Sequence, residues 1–264
     1  MINISRKARI AAGVALVALA APVMATHSWG GYHWARTSNN PLTVQVGDNV
    51  NAVWDPFLRT AIADWNQSTV IDSPVVPGSS SARRCRGVAG TIQVCNNTYG
   101  RTGWLGIASI SLSGTHISQG TTKLNDTYFN TAQYNQPAWR AMVTCQEVGH
   151  DYGLDHQDEA FDNPNLNTCM DYTNNPASNQ HPNAHDYQQL LAIYNHVDSA
   201  MTAMRAGASG AAEVGDTPAT WGRPVHNDRQ GRPNVFERID GPGRKTLTHV
   251  FWAIDEGPKG GRLR

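Results

Sequence analysis

The feature that most constrains this chain is a short segment with the sequence Cys-Gln-Glu-Val-Gly-His-Asp-Tyr-Gly-Leu-Asp-His. Gln146 and His150 are four residues apart, so on a helix they project from one face, one turn above the other. Gly153 can adopt the left-handed conformation that ends a helix, which would return His156 towards the same point. The spacing therefore predicts a three-ligand site with an open position, which is the arrangement of catalytic zinc.

The same segment resembles the metzincin zinc-peptidase signature H-E-x-x-H-x-x-G-x-x-H in every fixed position but one. Gln146 stands where that family has its first histidine. Downstream, Met170 and Tyr172 resemble the family's Met-turn in the M-x-Y form of its astacin-like members. The resemblance implies a matrixin- or astacin-like domain in which Gln146, His150 and His156 bind one catalytic Zn²⁺.

The resemblance also implies roles for the neighbouring side chains. Glu147 would be the general base that takes a proton from the metal-activated water, and Tyr172 would hydrogen-bond the oxyanion or add a ligand. The oxygen of Gln146 can lie about where an imidazole nitrogen would lie, although an amide is a weaker donor to zinc. The implied activity is that of a secreted zinc endopeptidase. The alternative is a catalytically impaired relative that binds proteins or peptides.

The N-terminus predicts export. Three basic residues between positions 6 and 9 precede an apolar run over residues 10–21, and small residues lead up to Ala25. This pattern is typical of a secretory signal peptide over residues 1–25, with cleavage after Ala25. The apolar run is short for an uncleaved membrane anchor. We expect an extracellular or periplasmic protein.

Export makes the four cysteines more typical of two disulfides than of a metal site, and four cysteines allow three pairings. We favour Cys85 with Cys95 because this bond closes a short loop. We favour Cys145 with Cys169 because the resemblance places the start of the active-site helix near the Met-turn.

The predicted fold is α+β, with a twisted mixed sheet, an active-site helix over residues 137–152 and a closing helix over residues 183–196. The resemblance suggests that Asp186, at the start of the closing helix, supports the Met-turn. Residues 117–129 are predicted to form an exposed edge strand. By resemblance this strand would line the cleft and pair with bound peptide, although a plain surface strand is the alternative.

Composition divides the chain into four predicted parts. The signal peptide is followed by the metallopeptidase domain at 26–205, a low-complexity linker at 206–219 and a small β-rich extension at 220–264. Two strand patterns, at 234–239 and 245–252, predict a β-hairpin in the extension. A hairpin alone is only marginally stable, so packing on the main domain is favoured over a free docking surface.

Charge excludes one class of partner. The chain has 21 basic and 21 acidic residues. Residues 26–202 carry a net charge of −6, and residues 203–264 a net charge of +3. Without a long basic run, neither part suggests nucleic-acid binding. The expected partner is a protein or peptide substrate, and the mature chain is expected to be a monomer that does not bind membranes.

Two further groups of residues were weighed as ligands. For His27 and His33, packing against the core is favoured over metal binding. Asp158, Glu159 and Asp162 could bind structural Ca²⁺, but nothing beyond their charge supports this, and a solvated acidic loop is favoured.

Overall fold

The computed structural model of the chain describes residues 27–203, 213–254 and 256–257. The predicted signal peptide and residues 206–212 of the predicted linker lie outside these ranges. Within them the predicted α+β class, with a mixed sheet and few helices, is confirmed.

The described strands are β1 (His33–Trp34), β2 (Gln45–Asn49), β3 (Val75–Pro77), β4 (Thr91–Asn97), β5 (Trp104–Ser113), β6 (His116–Asn125), β7 (Arg223–Asn227), β8 (Pro233–Gly241) and β9 (Arg244–Trp252). The described α-helices are α1 (Asp55–Trp65), α2 (Asp126–Phe129), α3 (Pro137–Asp151) and α4 (Ala184–Ile193).

The strands form one mixed sheet in the order β3-β2-β4-β6-β5-β9-β8-β7, with β1 paired to the start of β6. The half formed by β3, β2, β4 and β6 is parallel. From β5 onward the neighbours are antiparallel. The parallel half and the antiparallel half therefore meet at β6.

The prediction of an exposed edge strand at 117–129 is wrong. Strand β6 is interior, because β4 pairs along one side of it and β5 along the other. Its polar composition resembles that of a surface strand, but the amine of its one lysine is bonded to acceptors from another segment. The amine of Lys123 donates to Asp216 Oδ1 at 2.8 Å and to the Val214 carbonyl at 2.7 Å, both from the segment just before β7. Burial of this strand therefore depends on residues about ninety positions away.

The C-terminal strands continue the sheet of the main body. Strand β9 pairs with β5 over its whole length, from Trp104 opposite Trp252 to Ser113 opposite Arg244. Hydrophobic side chains from β8 and β9 join the same core cluster as α1 and α3. The predicted hairpin is thus present, and it packs on the main body as favoured.

Helix α3 is held from both sides. It begins at Pro137, a residue suited to the first helical turn, and packs between α1 and the sheet. The Trp65 indole of α1 donates to the carbonyl of Cys145 at 3.1 Å, and Cys145 forms a disulfide with Cys169. Cys85 and Cys95 form the second disulfide, so both favoured pairings are present. None of the described helices combines the length and apolarity needed to cross a membrane.

The end of α3 depends on a glycine. The amide of Gly153 donates to the His150 carbonyl at 2.9 Å, and the amide of Leu154 donates to the Gly149 carbonyl at 3.3 Å, which together form a Schellman motif. Gly153 has φ +93°, and a Cβ at this position would lie 2.2 Å from the Tyr32 carbonyl oxygen. A residue with a side chain would therefore meet both backbone strain and a steric clash.

We predict that Gly153→Ala lowers the free energy of unfolding by about 3 kcal/mol or more, from strain plus overpacking. Gly100→Ala is the matched control, since Gly100 has φ +94° with no atom within 4 Å of the added Cβ. The control should lose about 1–2 kcal/mol through strain alone. Urea denaturation with intact disulfides measures both, and equal losses would contradict the clash.

Candidate metal centre

Helix α3 places three predicted site residues in the interior. Gln146, Glu147 and His150 are all fully buried. Strand β5 approaches the helix closely at Gly106, where a Cβ would lie only 2.8 Å from the side chain of Glu147. The glycine therefore leaves room for the Glu147 carboxyl beneath the sheet.

The rings of His150 and His156 face each other through their Nε2 atoms, which are 3.2 Å apart. His150 Nδ1 lies 2.8 Å from the Leu154 carbonyl oxygen, so Nδ1 carries the hydrogen. His156 Nδ1 lies 3.1 Å from a carboxylate oxygen of Glu159 and is likewise the donor. In the neutral rings both Nε2 atoms then carry lone pairs that point at each other. Such an arrangement repels unless a cation or a proton lies between them.

A third imidazole comes from β9. The ring of His249 stacks on that of His150 with centroids 3.8 Å apart, and its centroid lies 4.3 Å from that of His156. One nitrogen of each ring lies within 4.8 Å of the other two. Among the described residues, neither nitrogen of His249 has a hydrogen-bond partner, although both are buried.

Sequence reasoning missed His249 as a site residue. The strand that carries it was predicted, and the one available signal was a single histidine within an otherwise apolar strand end. Its position beside His150 follows from the pairing of β9 with β5, which no local pattern reports.

Burial sets the protonation of this cluster. It lowers the pKa of His150 and of His249 well below the usual range, and the neighbouring imidazoles lower both further. Both rings are therefore neutral, which is the state that binds metal. Burial also raises the pKa of Glu147 well above its usual range, and the nearby Asp151 carboxyl adds to this. Glu147 thus has a strong tendency to accept a proton.

Gln146 is engaged on one side. Its Nε2 donates to the carbonyl of Cys169 at 2.7 Å, which joins α3 to the Met-turn. Its Oε1 is buried, and no described residue donates a hydrogen bond to it. The amide oxygen thus remains an acceptor for a cation or a water molecule.

The segment 169–172, which resembles a Met-turn in sequence, packs against helix α3. Met170 is fully buried, and its sulfur would lie 2.7 Å from a Cβ at Gly149 of α3. The Tyr172 ring lies 4.0 Å from that of His156, centroid to centroid, and its hydroxyl lies 3.4 Å from the Val250 carbonyl of β9. Tyr172 therefore contacts strand β9, which carries His249, and the loop after α3 that carries His156. This loop, residues 152–159, is called the ligand loop below.

The start of α4 supports this turn. Asp186 accepts a hydrogen bond from the hydroxyl of Thr168, directly before the turn, and another from the amide of Gln157 at 2.8 Å. Asn183 and Asp186 also form a capping box at the helix N-terminus. The predicted role of Asp186 agrees with these contacts.

The other candidate residues serve nearby contacts. His27 is buried, with its Nδ1 2.8 Å from the Asp155 carbonyl oxygen and its ring stacked on that of His185. Asp158 forms an ion pair with Arg229 at 3.2 Å. Glu159 accepts from His156 and, at 2.8 Å, from Asn234 of β8.

Zinc fits this set of residues. Zinc bonds to histidine nitrogen at about 2.0–2.1 Å with tetrahedral geometry, so two bound nitrogens lie about 3.3 Å apart. The Nε2 atoms of His150 and His156 are 3.2 Å apart. One nitrogen of His249 lies within 4.8 Å of a nitrogen of each of these two rings, so His249 is the third candidate ligand. Glu159 orients His156 through its Nδ1, as carboxylates commonly do for metal-bound histidines.

The centre borders the protein surface at His156. A surface cavity of about 210 Å³ is lined by residues of the ligand loop, among them His156 and Glu159, and by His226 and Arg229. His226 belongs to β7, which ends the sheet on this side among the described strands. The cavity therefore connects a candidate metal ligand with the outside.

Comparisons with known proteins give one kind of match. No family model matches the chain, and no curated protein sequence matches it. Among solved structures, 31 chains match. One is high choriolytic enzyme 1, a hatching-enzyme zinc-protease from the medaka fish Oryzias latipes. It is 12% identical with a TM-score of 0.36, and the match covers 62% of this chain and 94% of that one. A similarity at this level does not assign a function.

We predict that His249→Ala weakens zinc binding by more than the 10–100-fold typical of losing a residue that only supports a ligand. Competition with a chromophoric chelator measures this affinity. His181→Ala is the matched control, because His181 pairs with the Asp64 carboxylate of α1 and should leave the affinity unchanged.

A second variant separates the two candidate third ligands. Gln146→His in the His249→Ala background should restore binding, since position 146 shares a helix face with His150. Wild-type affinity in His249→Ala alone would show that His249 is not a ligand and would favour Gln146.

Proposed function

We propose that the chain is a zinc-dependent peptidase in which His150, His156 and His249 hold the metal and Glu147 is the general base. The observation that carries this proposal is the opposed pair of imidazole nitrogens at 3.2 Å, one of which belongs to His150, on the same helix as the buried carboxyl of Glu147. Burial lowers the pKa of His150 and of His249, which favours the neutral state that binds zinc.

Bound zinc would supply an acidified water molecule and polarise the scissile carbonyl. The contribution of the chain is proton transfer. Burial and Asp151 raise the pKa of Glu147, so its carboxylate accepts a proton from water readily and can deliver it to the leaving amine nitrogen. Gly106 and the buried neighbours of Glu147 keep bulk water from competing for that proton.

Gln146 and Tyr172 would assist from either side of the site. The Gln146 amide is held by the Cys169 carbonyl, which directs the unpaired Oε1 as a further donor to a cation. Tyr172 has its ring against His156 and its hydroxyl near β9, so it would orient the ligand loop and hydrogen-bond a developing oxyanion.

The substrate in this proposal is a polypeptide that enters by the cavity beside His156. Strand β7 offers a backbone edge next to that cavity, since β8 occupies its other side. Unpaired backbone groups at a sheet edge can bind an extended peptide. The two disulfides support the export that the N-terminal sequence predicts.

Glu147→Gln tests the catalytic part of the proposal. We expect kcat/KM for casein or a quenched peptide library to fall about 10²–10⁴-fold, which is the usual contribution of a general base. Zinc content should be unchanged, because Glu147 is not among the three ligands. Glu213→Gln is the matched control, since Glu213 is an accessible glutamate paired with Arg86.

Three outcomes are distinguishable. Loss of cleavage in Glu147→Gln with retained zinc supports the peptidase. Equal cleavage by the wild type and Glu147→Gln would contradict the proposed peptidase mechanism. Bound zinc without cleavage by the wild type would favour a protein that binds peptides without hydrolysing them.

A further inference from the structure

A second group of metal-binding side chains lies where β1, the start of β6 and the segment after α4 meet. Asp198 Oδ1 lies 3.4 Å from His33 Nε2 and 3.5 Å from His196 Nε2, and these two nitrogens are 3.1 Å apart. His116 Nε2 lies 3.2 Å from the same oxygen. None of these four residues belongs to the centre formed by His150, His156 and His249.

The distances match one face of a zinc coordination tetrahedron. Zinc bonds to imidazole nitrogen and carboxylate oxygen at about 2.0–2.2 Å, which places neighbouring ligand atoms about 3.3–3.5 Å apart. The three separations among His33, His196 and Asp198 are 3.1, 3.4 and 3.5 Å. Three candidate ligand atoms, one from His33 and two from the segment after α4, thus already lie at the separations that zinc ligands adopt.

Hydrogen bonding leaves a lone pair aimed at this point. His33 Nδ1 lies 2.9 Å from the Gly31 carbonyl oxygen and therefore carries the hydrogen. In the neutral ring, His33 Nε2 has only a lone pair, yet it faces an anionic oxygen and another ring nitrogen. A hydrogen on His196 Nε2, a second proton or a metal ion can satisfy this lone pair.

The carboxylate and the exposed histidine are held in position. Asp198 Oδ2 accepts from the Arg36 amide at 2.9 Å, which turns Oδ1 towards the imidazoles. The Arg36 guanidinium donates to the carbonyl of His196 at 3.1 Å and to that of Tyr194. The His33 and Asp198 side chains are each 10% exposed, whereas that of His196 is 45% exposed. The group is therefore held by hydrogen bonds on its buried side and is open to solvent on its other side.

We propose that His33, His196 and Asp198 form a second site for zinc, with His116 hydrogen-bonded to the ligand carboxylate. The open side leaves the fourth position to water or to His116 after rotation. The ligands are up to 165 residues apart in sequence, so the bound ion would join the N-terminal strand to the segment after the last described helix. Its role is to stabilise the fold, since a ligand that binds only the folded chain shifts the unfolding equilibrium. This proposal stands independently of the peptidase.

Zinc stoichiometry in the purified chain, with disulfides intact, tests the second site. Samples are dialysed against micromolar zinc and analysed by mass spectrometry of the metal. We expect roughly two zinc ions in the wild type and one in His196→Ala, which alters a largely exposed side chain and should fold. Asp198→Asn should also bind one. The control is His181→Ala, since His181 pairs with a single carboxylate, Asp64, and should leave the count at two.

A second measurement tests whether zinc itself stabilises the folded chain through this site. Zinc should raise the Tm of the wild type by several degrees more than that of His196→Ala, while His249→Ala keeps the part of the rise that belongs to the second site. Equal zinc counts and equal Tm shifts in the wild type and His196→Ala would overturn the proposal. A single zinc that is lost in His249→Ala and kept in His196→Ala would overturn it too, and would leave the peptidase proposal standing.

Discussion

The close approach of two ring nitrogens, His150 Nε2 and His156 Nε2, at 3.2 Å is the interaction on which the candidate centre depends. It is produced by backbone geometry. The Schellman motif at Gly153 reverses the chain directly after α3, and the Leu154 carbonyl then accepts from His150 Nδ1 and fixes its tautomer. A Cβ at position 153 would clash with the Tyr32 carbonyl. The positions of the N-terminal segment and of the ligand loop therefore depend on the same glycine. The repulsion of the two lone pairs is a local cost that a bound cation converts into stabilisation.

The third imidazole makes the C-terminal strands part of the site. His249 lies beside His150 because β9 pairs with β5 over nine residue positions, and β5 lies directly above Glu147. Asn234 of β8 donates to Glu159, the carboxylate that orients His156. The region predicted as a separate extension thus supplies one candidate ligand and supports another.

Local features of the fold followed from the sequence, whereas distant pairings did not. The end of α3, the short loop closed by Cys85 and Cys95, and the hairpin formed by β8 and β9 each depend on residues close in sequence or on turn chemistry. The prediction for β6 was wrong because a strand with many polar residues gives no sign that Lys123 will pair with Asp216. His249 was missed, and His33 was predicted to pack against the core, for the same reason: His249 is about a hundred residues from His150, and His33 is 165 residues from Asp198.

Gln146 holds helix α3 to the segment that follows Thr168 through a contact that needs no metal. Its amide nitrogen bonds to the Cys169 carbonyl at 2.7 Å, next to the disulfide that joins the same two elements. Helix α3 and the Met-turn are therefore held together by a covalent bond and a buried hydrogen bond, neither of which needs metal. With this contact secured, the third imidazole can come from β9, the strand on the opposite side of His150. Metal binding would then join the helix, its following loop and the sheet, and so couple the stability of β9 to that of the centre.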